Sequence, residues 1–151
     1  MKKLLTAAVL GTVAALAVTA FASGAARGTY MAGAKLTAGA EVPAPAGVPA
    51  AAKGAFTGEY VENSKGAVFK WRLTFSGLTG SATAAHIHMG KAGVAGAVIV
   101  PLCGPCKSGA GGSTQISKAV IAALESGKAY VNVHTAKNAA GEIRGQIKTS
   151  G

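Results

Sequence analysis

Between residues 68 and 75 the chain alternates strictly. Phe69, Trp71, Leu73 and Phe75 fall on one side of an extended backbone, and Lys70, Arg72 and Thr74 on the other. A period of two predicts a strand with one face in a core and one in water. Further strand-like runs lie at residues 30–36, 54–61, 83–89, 130–134 and 142–148, and a continuously apolar one at 98–102. In the last run Ile143 and Ile147 alternate with Glu142, Arg144, Gln146 and Lys148, which predicts a polar outer face there. Asn63-Ser64-Lys65-Gly66 separates two of the runs and reads as a hairpin turn. Gly77-Leu78-Thr79-Gly80 and residues 138–141 read as further turns. Pro43, Pro45 and Pro49 keep residues 41–49 extended. Residues 103–112, rich in glycine and holding both cysteines, read as a loop. Only SKAVIAALES, residues 117–126, has helical character, and Gly127 ends it. Many short strands between glycine-rich turns predict an all-β antiparallel sandwich or barrel with one short helix.

The first 22 residues have a different pattern. Lys2 and Lys3 precede an uncharged stretch, residues 4–21, which ends at Ala20-Phe21-Ala22. A basic start, an apolar middle and a small-x-small end predict a cleavable signal peptide, residues 1–22, and hence export to the periplasm or medium. An uncleaved anchor is the alternative, since 18 apolar residues approach the length of a bilayer span. No later segment is apolar for long enough to cross a membrane. The remaining chain divides into a lead-in, residues 23–34, and one domain, residues 35–149.

Charge narrows the choice of partner only slightly. The chain carries 15 Lys and Arg against 5 acidic residues. All five acids are glutamates, so aspartate-rich Ca²⁺ or Mg²⁺ loops are excluded. The cations are scattered with no run of three, which argues against a dedicated nucleic-acid surface. Paired catalytic carboxylates, a Ser-His-Asp arrangement, a P-loop and a dinucleotide fingerprint are all lacking, so hydrolase and transferase chemistry has no residues to use.

Three histidines carry the candidate chemistry. His86 and His88 are two apart on one expected strand and leave the same face, while Ala85, Ile87 and Met89 take the other. On a second expected strand Tyr130, Asn132 and His134 share the face away from Val131 and Val133. If the two strands are neighbours, three imidazoles converge, a donor set suited to Cu²⁺ or Zn²⁺. The alternative is structural hydrogen bonding by the same rings. Asn132, Glu142 and Arg144 are the candidates to buttress the ligands from behind. The last two could instead form an exposed ion pair. Met89 offers a soft thioether, although alternation points it the wrong way.

Five segments, in order, carry a family resemblance: LTAGAEVP (36–43), WRLTFSGLTG (71–80), AHIHMGKAGVAG (85–96), GKAYVNVHT (127–135) and GEIRGQI (141–147). The chain resembles the CHRD domain, a unit repeated in chordin and found singly in exported microbial proteins. The resemblance implies an immunoglobulin-like or superoxide-dismutase-like β-sandwich and no settled activity. It also makes Glu41 a family position, an anchor for the first strand, and Trp71 a core aromatic. The His-x-His pair is similar to the copper-ligand pair of copper/zinc superoxide dismutase. This chain has no fourth or bridging histidine and no zinc aspartate, so only a copper site of three histidines could be built, with weak dismutase-like activity the one enzymatic possibility left open.

Cys103-Gly104-Pro105-Cys106 has the letters of the thioredoxin motif, but residues 107–112 cannot form the helix that acidifies such a thiol. In an exported chain the pair predicts a loop-closing disulfide, with thiol-redox and metal roles as alternatives. Three functions therefore remain: a copper or other transition-metal binding protein; an envelope or extracellular protein-interaction module with structural histidines; and, last, a thiol-redox protein.

Overall fold

The computed structural model describes residues 28–151; the expected signal peptide and residues 23–27 lie outside the described residues. Nine strands and one helix follow in the order β1 (Thr29–Thr37), β2 (Lys53–Asn63), β3 (Gly66–Ser76), β4 (Ala82–Met89), β5 (Val98–Cys103), β6 (Ala110–Ile116), α1 (Lys118–Glu125), β7 (Ala129–Thr135), β8 (Ile143–Gln146) and β9 (Lys148–Ser150). β1 begins at Thr29, so the second half of the expected lead-in is already strand.

β1, β2 and β3 form an antiparallel meander in continuous register, from Thr29↔Val61 to Thr37↔Lys53 and from Lys53↔Ser76 to Asn63↔Gly66. The hairpin turn is held by Asn63, whose Oδ1 accepts from the Lys65 N–H at 2.8 Å. The sheet continues in the order β5-β4-β7-β8-β1-β2-β3-β6, and β9 extends the pairing with β1 beyond β8. Its two edges, β5 and β6, approach each other, so the antiparallel sheet curls into a nearly closed barrel. Along β1, β2 and β3 buried residues alternate with more exposed ones. Leu36, Phe56, Phe69, Leu73, Ile87 and Ile143 are essentially inaccessible to water. Helix α1 packs beside β3 and β9 and buries Ile121, Ala123 and Leu124. Ser117 caps it through Val120 N–H, and Gly127, at φ 65°, stops it.

Three expectations need correction. The glycine-rich stretch 103–112 is not loop throughout: Ala110, Gly111 and Gly112 open β6 and pair with Leu73, Arg72 and Trp71. A Cβ on Gly112 would lie 2.9 Å from the Trp71 ring. The indole fills the place of side chains on β6, so the strand carries almost no hydrophobic signal of its own. The final run is also not one wet-faced strand. It breaks at Ile147, and Glu142 and Arg144 are 0% and 1% exposed. Loops fold over the outer face of β7 and β8, leaving every residue of β7 buried on both faces. Met89, expected on the core side, is 39% exposed at the end of its strand.

Candidate metal centre

β4 and β7 are direct neighbours. Their register sets Ala84 opposite His134, His86 opposite Asn132, and His88 opposite Tyr130. Because Ala85, Ile87, Val131 and Val133 fill the barrel, His86, His88 and His134 all leave its outer face. The three rings meet, and one nitrogen from each lies within 4.8 Å of the others. His86 remains partly open to solvent, whereas His88 and His134 are buried.

Loop carbonyls decide which nitrogens are free. His88 Nδ1 lies 2.9 Å from Gly96 O, and His134 Nδ1 lies 3.0 Å from Ala139 O. A carbonyl can only accept, so each Nδ1 carries the hydrogen and each neutral ring keeps its lone pair on Nε2. His134 Nε2 accepts from His86 Nδ1 at 3.1 Å. His88 Nε2 is buried with no partner. Burial pushes all three imidazoles below their ordinary basicity. Proximity of His134 and His88 adds to this for His86, while the Gly96 carbonyl opposes it for His88 and the Ala139 carbonyl opposes it for His134. Imidazoles with backbone-held Nδ1–H groups and Nε2 lone pairs turned into the cluster, as at His88 and His134, are what a transition-metal ion requires; His86 would join them by carrying its ring hydrogen on Nε2 instead of Nδ1.

The chain's order of motifs now sits on a described barrel, and the family model for the CHRD domain matches residues 32–147. The chain belongs to the CHRD domain family. A search of curated proteins and a search of solved structures each found no match.

The residues expected behind the ligands surround this CHRD centre without hydrogen-bonding the histidines. Asn132 donates to Glu41 Oε2 at 3.3 Å, and its Oδ1 is buried without a partner. Glu41 is 6% exposed, and burial lifts its carboxyl to about 7 against the pull of Arg144, the Val42 N–H and Asn132. Glu142 makes no ion pair with Arg144. Its carboxylate accepts from the Thr79 N–H at 2.5 Å, the Thr79 hydroxyl at 2.6 Å, the Thr135 hydroxyl at 2.5 Å and the Asn138 amide at 3.1 Å. Asn138 also clasps both backbone groups of Ala46. Glu142 thereby fixes the turn that presents Ala139 O to His134, and acts on the ligand through the backbone.

Arg144 lies with its guanidinium carbon 3.3 Å from the centre of the Tyr130 ring, and donates to Lys91 O at 2.8 Å. Tyr130 stacks in turn on His88, with centroids 5.0 Å apart and planes 11° from parallel. Its hydroxyl accepts from the Gly96 N–H at 3.0 Å, so Gly96 grips Tyr130 with one backbone group and His88 with the other. A Cβ on Gly96 would sit 1.5 Å from Met89 O, which makes glycine obligatory there. Tyr130 was legible as a member of the histidine face. The roles of Gly96 and Ala139 were not, because a carbonyl's place depends on how a loop closes.

Cys103 and Cys106 are at bonding distance as a disulfide, packed against the core beside Ala82 and away from the histidine face. No helix follows them before residue 118.

Proposed function

We propose that the protein is an exported CHRD-domain binding protein that holds copper, or another transition-metal ion, through His86, His88 and His134. The observation that carries this reading is the buried, unpartnered Nε2 of His88 beside the lone pair of His134 Nε2. A purely structural histidine pays desolvation at both nitrogens and normally bonds both. Here one nitrogen is fastened and the other is aimed at two neighbouring imidazoles. The partly open edge at His86 gives an ion a path in. The leader-like N-terminus and the disulfide fit work outside the cytoplasm, where such a site would store, deliver or sequester copper. Among the described residues no helix is long and apolar enough to cross a membrane.

The bond between His86 and His134 favours a second reading, in which the cluster holds itself together without metal and the domain is an envelope or extracellular interaction module. Calorimetric titration with Cu²⁺ and Zn²⁺ separates the two. One tight equivalent, lost in the His86→Ala/His88→Ala variant, supports the metal reading. Equal binding by both proteins, or no saturable binding, retires it.

A further inference from the structure

We propose that this centre selects monovalent copper over divalent ions, and that Arg144 sets the preference. The proposal rests on the reading of the three histidines as ligands.

All three donors are imidazoles; backbone carbonyls fasten His88 and His134, His134 itself holds His86, and no carboxylate bonds any of the three rings. The ligands therefore bring no negative charge to offset that of a cation. The buried charge acting on His88 is positive, that of Arg144, while the one buried carboxylate near the cluster, Glu142, lies on the His134 side and is taken up by Thr79, Thr135 and Asn138. Arg144 is 1% exposed, its Nη1 has no hydrogen-bond partner, and no carboxylate forms an ion pair with it. Glu41, the carboxyl that feels Arg144 most directly, is itself buried and largely protonated below about pH 7. An arginine cation is thus held in the protein with little compensation, one aromatic ring away from a ligand.

The geometry sets the size of the effect. Arg144 comes from β8 and His88 from β4, on opposite flanks of β7, so Tyr130 lies sandwiched between them. Those two contacts, of 3.3 Å and 5.0 Å, put the guanidinium at most about 8 Å from the centre of the His88 ring, and a partly buried pair at about that distance feels each unit of charge as roughly tenfold in an equilibrium constant. A divalent ion carries one more unit than Cu⁺. Arg144 therefore weakens Cu²⁺ and Zn²⁺ by roughly tenfold more than Cu⁺, equivalent to about 60 mV in the potential of bound copper. Arg144 makes its contact through Tyr130 and never touches the ion, so it is a positioning and field-setting residue.

The test compares Cu⁺, Cu²⁺ and Zn²⁺ affinities by competition with chromophoric chelators, under anaerobic conditions for Cu⁺, in wild type, Arg144→Met and Arg144→Lys. Wild type should favour Cu⁺ over Cu²⁺ more strongly than the aqueous couple does. Arg144→Met should tighten Cu²⁺ and Zn²⁺ together by roughly tenfold relative to Cu⁺, and Arg144→Lys should restore much of the wild-type ratio. A residue that only supports the fold would move all three affinities alike, and that result overturns the proposal. So does a wild-type protein that takes Zn²⁺ as tightly as Cu⁺, a measurement that stands even if Arg144→Met fails to fold. No binding of any of the three ions refutes the underlying metal reading instead.

Discussion

Glu142→Gln is the substitution that most directly tests how the site is held. Glu142 is inaccessible to water and has no cationic partner; four donors from Thr79, Thr135 and Asn138 surround its carboxylate. In the glutamine variant the charge is gone and one oxygen becomes an amide that can only donate. The two hydroxyls can rotate away, but the Thr79 N–H and the Asn138 amide cannot. Hydrogen bonds to a charged acceptor contribute about 1.5–3 kcal/mol each against about 1 kcal/mol for neutral ones, so the expected loss is about 3–4 kcal/mol at pH 7. For a domain of this size that lowers Tm by roughly 10–15 °C. The pH dependence gives an independent check. Burial pushes the carboxyl up, but the bonds from Thr135, Thr79 and Asn138 outweigh it and leave the folded-state value below the ordinary one. A depressed carboxylate contributes stability above its unfolded value, near 4.3, that is lost as pH falls through the folded value. Urea unfolding of both proteins should therefore show the full difference at pH 7 and a shrinking one towards pH 2. A difference under 1 kcal/mol at pH 7, or one that is the same at both ends, refutes the reasoning.

Gly96→Ala forces Met89 O and the loop apart and should weaken metal binding at least tenfold while lowering Tm, as calorimetry and thermal melts would register. Conversely, a variant with normal affinity would show that His88 does not depend on Gly96. The three histidines are held below their ordinary pKa, so the unfolded chain takes up protons first; metal-free stability should hold above about pH 6.5 and fall as pH drops below it. That slope should flatten in a variant with all three changed to glutamine, and urea midpoints from pH 8 to 5 would measure it. Thiol titration of the native protein should find no free thiol, and Cys103→Ser/Cys106→Ser should cost at most about 2 kcal/mol, since so short a loop constrains the unfolded chain little.

Strands with their own alternation or an unbroken apolar run, such as β3 and β5, were legible from sequence, and β6 was not. β3 announces itself because Phe69, Trp71 and Leu73 are large and lie on one face. β6 is invisible because its partner supplies the bulk: Trp71 covers Gly112, so alternation is present in space but absent from β6's letters. The histidine face was legible for the same reason as β3, since His-x-His and Asn-x-His each fix a side of a strand. Only pairing between β4 and β7 remained to be learned, and nothing local encodes it. Glu142 and Arg144 misled because a period of two reports which face a residue takes, not whether a loop later covers that face. The loops at residues 90–97 and 136–141 are built mainly of alanine and glycine, and their contribution is made by carbonyls that every residue possesses.

The division of labour between strands and loops explains how the cluster can exist without an ion and still be ready for one. Strands set ring positions, since β4 and β7 pair with each other and each has a further strand on its other side. Loop carbonyls set the tautomers by claiming Nδ1 of His88 and His134. With those two fixed, His134 Nε2 must accept, so His86 Nδ1 must donate; the metal-free cluster is satisfied everywhere except at His88 Nε2. An ion held at the His86 edge would take the place of the hydrogen bond between His86 and His134, with the His86 ring hydrogen carried on the nitrogen nearest solvent. It need not remove a proton from any neutral ring, nor turn a buried side chain around. The strain of assembly is thus confined to the one histidine that water can reach, where the protein can change tautomer at least cost.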